Sequence, residues 1–478
     1  MKRTLTALLL LCLAIPAAAQ TAGRREAGTG QSIDRSKPPV TPPLAAYHLP
    51  PVFETTLPNG LAIMLVEDHR LPLVSVRLAF RAGSKFDPGS LGGLAETTGA
   101  LLKEGTKTRS SRQIAEELAA IGGGLSAGTD ADSLIVAADA LAEHTTDLLD
   151  LLADVARDAT FPEDEVQLRK QNRKQELLAE RAEAATLAEE KEMQVVFGSH
   201  PYSRMLPEPE TIERIDRAVL AGFRDRLLVP NNAVLLLIGA LPPRAQLMKT
   251  LEDKFGSWRR KEAPAAPSAP IPKPVRSIVL VDRPGSVQAD IRIGKLAVAR
   301  TSPEYLPLRV ADTVLGGGTS SRMFMNIREK MGFAYDAHSE LESRKDSGVI
   351  SAVTEVRNEV VEPAMQALFA ELRRMAAEPV PAAELTDIRN FLSGTFVIRL
   401  ETQGGLAQQL VNVKMMGLPN DFLEKYVPRI QAVDPAQIQQ VSAKYLAPDD
   451  ASVVVVGDAS KIRTQLEKFG KVTVEKAK

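Results

Sequence analysis

The sequence repeats itself, and this duplication limits the folds open to the chain more than any other feature. The segment 223–239 (FRDRLLVPNNAVLLLIG) parallels the segment 441–457 (VSAKYLAPDDASVVVVG), and each passes from a helical pattern through a Pro turn into an apolar strand. Pro162 and Pro381 likewise each open a long helical pattern. Because a repeated segment signals a repeated structural unit, two copies of one domain are predicted.

A Pro- and Ala-rich stretch separates the two copies. Residues 261–274 read KEAPAAPSAPIPKP, a composition typical of an extended linker. We therefore predict an N-terminal domain over 51–258, a linker over 259–276 and a C-terminal domain over 277–478. Each domain is long enough to bury a core of its own.

The spacing of apolar residues predicts the same kinds of element in both halves. Strands are expected at 61–66, 74–80, 133–138 and 233–238, and again at 278–281, 289–294, 348–353 and 452–456. Helices are expected in the first half at 91–103, 112–121 and 143–156, and from Pro162 to about Val196. This arrangement predicts an α+β fold of two homologous α/β-sandwich domains, each a mixed sheet covered by helices.

The N-terminus has the pattern of a secretory signal peptide over residues 1–19. A positively charged start precedes an apolar stretch from Leu5 to Ile15, which is shorter than the roughly 20 residues needed to cross a bilayer. Residues 20–50 are predicted to be a flexible tail. We therefore expect an exported protein, periplasmic or secreted, without a membrane span. The single cysteine, Cys12, lies inside the signal, so the mature chain has no thiol for disulfides, metal binding or nucleophilic catalysis.

The charges of the chain are balanced. The formal net charge is −1 at pH 7, and acidic and basic residues are scattered along the helical patterns. A protein that binds nucleic acid concentrates positive charge in a patch or stripe, which this sequence lacks. Nucleic acid is therefore not expected as a partner.

Several segments resemble one known family. Residues 93–106 (GLAETTGALLKEGT) resemble the catalytic helix of the insulinase/pitrilysin zinc peptidases, an inverzincin family whose subgroup of similar size includes the mitochondrial processing peptidases. Supporting matches occur in the same order at 57–61 (LPNGL), 200–202 (HPY) and 315–335. The resemblance covers almost the whole mature chain and implies an internal duplication of the peptidase-like domain.

The zinc-binding motif of that family is degenerate in this sequence. The family's helix carries His-x-x-Glu-His, in which two histidines four residues apart bind zinc and the Glu acts as general base. Those three positions are held here by Glu96, Gly99 and Ala100. A further Glu completes the family's site, and Glu176 is its counterpart. Because Gly and Ala neither ligate a metal nor accept a proton, the resemblance implies no zinc cofactor in this chain.

The histidines support the same expectation. The mature chain has only five, and no two of them are close enough in sequence to form a metal-binding pair on one helix. A zinc site assembled from distant single histidines stays open as an alternative. The helix that carries Glu176, together with Arg173 and Glu180, is expected to present a mostly solvated face with helical charge pairs.

The second half keeps residues that the family uses for substrate. Family members hold the peptide near the scissile bond with an Arg and a Tyr, and Arg328 and Tyr335 match that pair in type, spacing and flanking sequence. Arginine offers several fixed donors to peptide carbonyls, and a phenol can stabilise charge that develops on the attacked carbonyl oxygen. The alternative is that Arg328 is a solvated helix charge and Tyr335 a half-buried strand residue.

Three functions remain open from the sequence. The first is a non-catalytic subunit that binds peptide or unfolded polypeptide in a heterodimer with a zinc-bearing family member, so that zinc is expected in the partner. The second is a structural, assembly or peptide-binding scaffold with no proteolytic role. The third is an independent metallopeptidase that uses Glu96 with an unusual metal.

Overall fold

A computed structural model describes residues 47–267, 269–273 and 275–477. The predicted signal peptide and the predicted tail up to residue 46 lie outside the described residues. Within the described end of that tail, Tyr47 and Leu49 pack against the hydrophobic core. Within the described part of the chain, no helix combines the length and the apolar character needed to cross a membrane.

The strands of the first half form one mixed sheet. They are β1 (Val52–Thr56), β2 (Ala62–Glu67), β3 (Leu73–Phe80), β4 (Gly124–Thr129), β5 (Leu134–Leu141) and β6 (Ala233–Gly239). Their order is β1-β2-β6-β3-β5-β4, with β2 and β6 parallel and the other neighbours antiparallel. The helices are α1 (Leu94–Leu101), α2 (Ser111–Ala120), α3 (Thr145–Asp158), α4 (Glu163–Ala182), α5 (Ala184–Phe197), α6 (Pro209–Arg214), α7 (Arg217–Leu227) and α8 (Arg244–Phe255).

The second half builds the same sheet again. Its strands are β7 (Ser277–Asp282), β8 (Gln288–Ala297), β9 (Ala334–Ser343), β10 (Gly348–Arg357), β11 (Ser452–Gly457) and β12 (Val472–Lys476), in the order β12-β7-β11-β8-β10-β9. Its helices are α9 (Tyr305–Gly316), α10 (Val361–Ala377), α11 (Ala382–Leu400), α12 (Gln403–Met416), α13 (Phe422–Ala432), α14 (Pro435–Tyr445) and α15 (Ala459–Leu466). Apart from the outer strands β1 and β12, the order and directions agree between the halves, which confirms the predicted fold class.

The central strand β6 shows why the inner strands have continuously apolar sequences. Every residue of β6 is buried. Leu235 and Leu237 lie in a core shared with the helices of the first half, whereas Leu236 and Ile238 lie in a core that includes Leu406 of α12, from the second half. Both faces of this strand are therefore dry, and a strand covered on both faces requires an unbroken apolar run.

The two halves cover one another reciprocally. Helix α12 of the second half packs on β3 and β6 of the first sheet, and helix α5 of the first half packs on β8 and β11 of the second sheet. Leu187 and Ala188 of α5 lie in one buried cluster with Val279 of β7 and Val454 of β11. Each sheet is thus completed by a helix from the other half.

The prediction of one long helix from Pro162 to about Val196 is wrong. The structure has α4 and α5 instead, separated at Glu183, whose backbone is extended (φ −87°, ψ 127°). Neither Pro nor Gly marks the break in the sequence. The break has a tertiary cause, because α4 stays with its own half, against α1 and α6, while α5 leaves it to cover the second sheet.

A buried ion pair lies where α5 meets the second sheet. The wholly buried carboxylate of Glu192 accepts a 2.6 Å hydrogen bond from Nε of Arg292 on β8, and Arg292 also donates to Glu340 on β9 at 2.8 Å. Glu192 lies so close over Gly294 that a Cβ at that position would come within 2.0 Å of its Oε1. Gly294 is therefore needed for the close approach of α5 to the sheet.

Removing the cation from this pair should destabilise the protein strongly. Arg292→Leu leaves the Glu192 carboxylate buried without its cation, so we expect a loss of about 3–5 kcal/mol in the free energy of unfolding, measured by urea denaturation. Arg463→Leu is the matched control, because Arg463 forms an exposed pair with Glu467 and should cost less than about 1 kcal/mol. Equal, small effects from both substitutions would contradict the role of the buried pair.

The same network reaches a histidine on the edge strand β9. His338 lies between two carboxylates, with Nδ1 2.7 Å from Asp336 and Nε2 3.0 Å from Glu340. The hydrogen bond to Glu340, together with the charge of Asp336, raises the pKa of His338 above its ordinary value despite partial burial. Hydrogen bonds from His338 and Arg292 lower the pKa of Glu340 to about 2. The imidazolium therefore binds both carboxylates, because only the charged ring has two N–H donors.

This arrangement predicts a pH dependence of stability. A histidine whose pKa is raised in the folded state stabilises the protein below its unfolded pKa, and this contribution is lost as pH rises through the higher folded pKa. The free energy of unfolding of the wild type should therefore exceed that of His338→Gln most at about pH 6, and the difference should shrink by about pH 9. A difference independent of pH across this interval would show that the ring is not charged in the folded state.

Candidate functional site

Helix α1 carries the residues that correspond to the zinc motif. It begins after Gly93, whose φ of 87° suits glycine, and Asp87 closes its first turn by accepting hydrogen bonds from the backbone N–H groups of Gly93, Leu94 and Ala95 at 2.9–3.1 Å. A carboxylate at this end also complements the helix dipole. The start of the helix is thus well fixed, which places Glu96 in its first turn.

Gly99 faces the edge strand β4. A Cβ at this position would lie 3.3 Å from Oγ1 of Thr129 and 3.5 Å from Cδ1 of Leu134. Helix α1 therefore packs closely on β4 and β5, and the space beside Gly99 is already filled. A methyl group is all that Ala100 presents one residue further on. Neither position supplies a ligand or a base, as the sequence predicts.

Helix α4 brings a second carboxylate to the site, together with two arginines. Arg169 donates to Glu96 at 2.7 Å through one guanidinium nitrogen and to Glu176 at 3.0 Å through the other. Nε of Arg173 lies 3.2 Å from the same carboxylate oxygen of Glu96. The structure thus brings Glu96 and Glu176 together and joins them through the guanidinium group of Arg169.

The prediction of a mostly solvated face for α4 is wrong at Arg173. Only 5% of its side chain is exposed, and it also donates to Glu180 at 2.9 Å. Sequence reasoning missed Arg169 altogether. One signal was present, because Arg169, Arg173, Glu176 and Glu180 recur at intervals of three or four residues and so share one face of the helix.

The donors at this position do not fit zinc. A zinc site takes four ligands, mostly Cys and His, each about 2.0–2.3 Å from the metal. Here two carboxylates are engaged by arginine, no imidazole is near, and the part of the chain that the structure describes contains no group of three or more His, Cys, Asp or Glu side chains that could hold a metal ion. The single histidines, including His200 and His338, do not assemble a metal centre there either.

The second half brings Arg328 and Tyr335 together. Arg328 lies in a π-helical segment, Phe324–Lys330, and its guanidinium lies 4.5 Å from the centroid of the Phe324 ring and 4.9 Å from that of Tyr335. Stacking on two rings holds the planar group in place. π-Helical turns are rare and often occur at functional sites.

The predicted alternative for Tyr335, a half-buried strand residue, does not describe its position. Tyr335 lies on the edge strand β9 and is 84% exposed. The carboxylate nearest to Arg328 in the described structure belongs to Glu329, at 3.4 Å, so most of the guanidinium donors face no acid. The pair is therefore presented to solvent with donors available for a ligand.

Comparison with known proteins identifies the family of the chain. The family model described as "Insulinase (Peptidase family M16)" matches residues 62–210, and the model described as "Peptidase M16 inactive domain" matches residues 214–392. The chain belongs to the insulinase family, M16. Within the M16 pattern, the degenerate motif lies in the part matched by the first model, and Arg328 and Tyr335 lie in the part matched by the second.

Relatives and solved structures extend the match to most of the chain. An uncharacterized zinc protease of Mycobacterium leprae is 27% identical over 399 residues, covering 82% of this chain and 88% of its own. One from Bacillus subtilis is 23% identical, covering 84% and 97%. A solved M16 inactive domain from Pseudomonas fluorescens aligns with a TM-score of 0.79 and 24% identity, covering 85% of this chain and 98% of its own. The M. leprae and B. subtilis relatives are named as zinc proteases, whereas the donors in this M16 chain do not fit zinc.

Zinc should therefore leave the stability of this M16 protein unchanged. A ligand that binds only the folded state at 100 times its Kd adds about 2.7 kcal/mol to the free energy of unfolding. We expect neither added zinc nor a strong chelator to shift the Tm measured by calorimetry, whereas an M16 peptidase with an intact His-x-x-Glu-His should respond to both. A rise in Tm with stoichiometric zinc would contradict the conclusion that the donors of this site do not fit zinc.

Proposed function

We propose that this chain is a non-catalytic M16 subunit that binds peptide and completes the chamber of a zinc-bearing partner of the same family. It would act as a heterodimer in the compartment to which the predicted signal peptide directs it, the periplasm or the exterior. Zinc would reside in the partner alone. The substrate would be a peptide or an unfolded polypeptide.

One asymmetry supports this proposal. The position of the metal centre is filled by Arg169 bonded to Glu96 and Glu176, so no group there can activate water. In contrast, Arg328 and Tyr335 are intact, adjacent and open to solvent. An exposed phenol beside an arginine with free donors is an arrangement that can hydrogen-bond to a peptide backbone.

The chemistry of the second-half pair suits a peptide. A guanidinium donates two parallel hydrogen bonds in a fixed plane, which can hold a backbone carbonyl in one orientation. The phenol O–H of Tyr335 can donate to the carbonyl oxygen as negative charge develops on it. Both roles assist hydrolysis without supplying the nucleophile, which is the division of labour expected between this chain and its partner.

A structural or assembly role is the second candidate. Phe391 and Ile398 lie two turns apart on one face of α11 and are 50% and 64% exposed. Large apolar side chains that share an exposed helix face often mark a contact with another protein. A scaffold would associate stably with its partners but would not depend on Arg328 or Tyr335.

The two candidates differ in the effect of conservative substitutions on turnover. In a complex reconstituted with a zinc-bearing M16 chain, Tyr335→Phe should lower kcat for an unstructured fluorogenic peptide by about 100-fold, because one donor to the oxyanion is lost. Arg328→Lys should raise KM, since it keeps the charge but loses the stacked planar fork. Arg463→Ala, at an exposed pair on α15, is the control and should change neither constant.

Unchanged kcat and KM in both test variants, with the complex intact by gel filtration, would contradict the proposed role of Arg328 and Tyr335 and would favour a structural scaffold.

A further inference from the structure

We infer that Arg169 and Arg173 take the position of the family's metal ion, so that this chain excludes zinc even when the missing histidine ligands are restored. The inference concerns the residues of this chain alone and does not depend on a partner subunit. It accounts for a difference between this chain and its relatives: they are named zinc proteases, whereas the donors of this chain do not fit the metal.

The geometry places the guanidinium between the ligand positions. An ion bound through positions 96 and 176 would need to lie about 2 Å from both side chains. The two terminal nitrogens of Arg169 already lie 2.7 Å from Glu96 and 3.0 Å from Glu176, so its guanidinium fills the space between them. Arg173 closes the same space from the next turn of α4.

The duplicated half shows the same helix pair without these charges. Helices α1 and α9 follow equivalent strands, β3 and β8, and α9 packs against α11 as α1 packs against α4. When Pro162 is aligned with Pro381, Arg169 and Arg173 fall on Ile388 and Leu392, both buried in the apolar core.

The same alignment puts Thr395 in place of Glu176. In the second half, where Thr395 replaces the carboxylate, apolar residues fill the contact between the two helices. In the first half, where Glu176 is present, arginines fill it. This correlation indicates that the arginines balance the carboxylates at 96 and 176, which is the charge role that a bound cation would have. Two fixed positive charges at this point would also repel an incoming divalent ion.

Metal binding to engineered variants tests the inference directly. The first variant, Glu96→His with Ala100→His, restores the helical pair of imidazoles and keeps Glu176. The second adds Arg169→Ala and Arg173→Leu, the latter copying the residue found in the second half. Gly99 stays in both, because the position is not a ligand and a side chain there would crowd Thr129. Circular dichroism and thermal unfolding establish that both variants fold.

We expect the first variant to retain almost no zinc after dialysis and the second to retain about one zinc per chain. Competition with a chromophoric chelator should give a Kd on the order of 100-fold lower for the second, the range over which residues around metal ligands tune affinity. Co²⁺ substitution should give the absorption of a tetrahedral site only in the second variant.

Tight, stoichiometric zinc in the first variant would overturn the inference, because the arginines would then be no barrier. Folded variants that both fail to bind would also overturn it, since another feature would then exclude the metal. If the fourfold variant unfolds, a variant with Glu96→His, Ala100→His and Arg169→Ala alone provides the same comparison and keeps Arg173 in its buried place.

Discussion

The fold depends on each half burying the second face of the other half's sheet. Strands such as β6 are apolar on both faces, and one of these faces packs against α12, which belongs to the second half. Helix α5 serves the second sheet in the same way. The halves therefore cannot separate without exposing two apolar sheet faces to water, at a cost that scales with the area uncovered. The duplicated chain behaves as a single reciprocal unit rather than as two domains that merely touch.

The packing of α5 on the second sheet connects the candidate site to the interface between the halves. Helix α4 carries the arginines of the degenerate site, and after one extended residue, Glu183, the chain continues as α5 into the second half. Each of these two consecutive helices carries an ion that needs a partner: Arg173 on α4 pairs with Glu96, and Glu192 on α5 pairs with Arg292. In both places a buried or partly buried ion is paired, since an unpaired charge would be costly in the interior.

The duplication, the central strands of the sheets and the loss of the zinc motif could be predicted from the sequence, because they depend on local apolar patterns and on the identity of single side chains. The sequence was insufficient where distant residues decide the outcome. The break at Glu183 follows from packing on a sheet that lies about a hundred residues further along the chain, as the contact between Glu192 and Arg292 shows. Arg169 meets Glu96 across 73 residues, a separation that no helical period can reveal. The outer strands β1, β4, β9 and β12 were also absent from the predicted strands, because exposed edges carry polar, charged or glycine-containing sequence.

A guanidinium can replace a metal ion in one role and not in others. It neutralises two carboxylates and holds α1 against α4, and it does so without any cofactor. It has no open coordination position for water and no acceptor for a proton, so it cannot activate water as a metal ion does. Both terminal nitrogens of Arg169 are bonded to carboxylates. Arg328, in contrast, has only the Glu329 carboxylate within ion-pair distance in the described structure, so most of its donors face no acid. The same residue type thus joins two carboxylates in one half of the chain and presents donors that face no acid in the other.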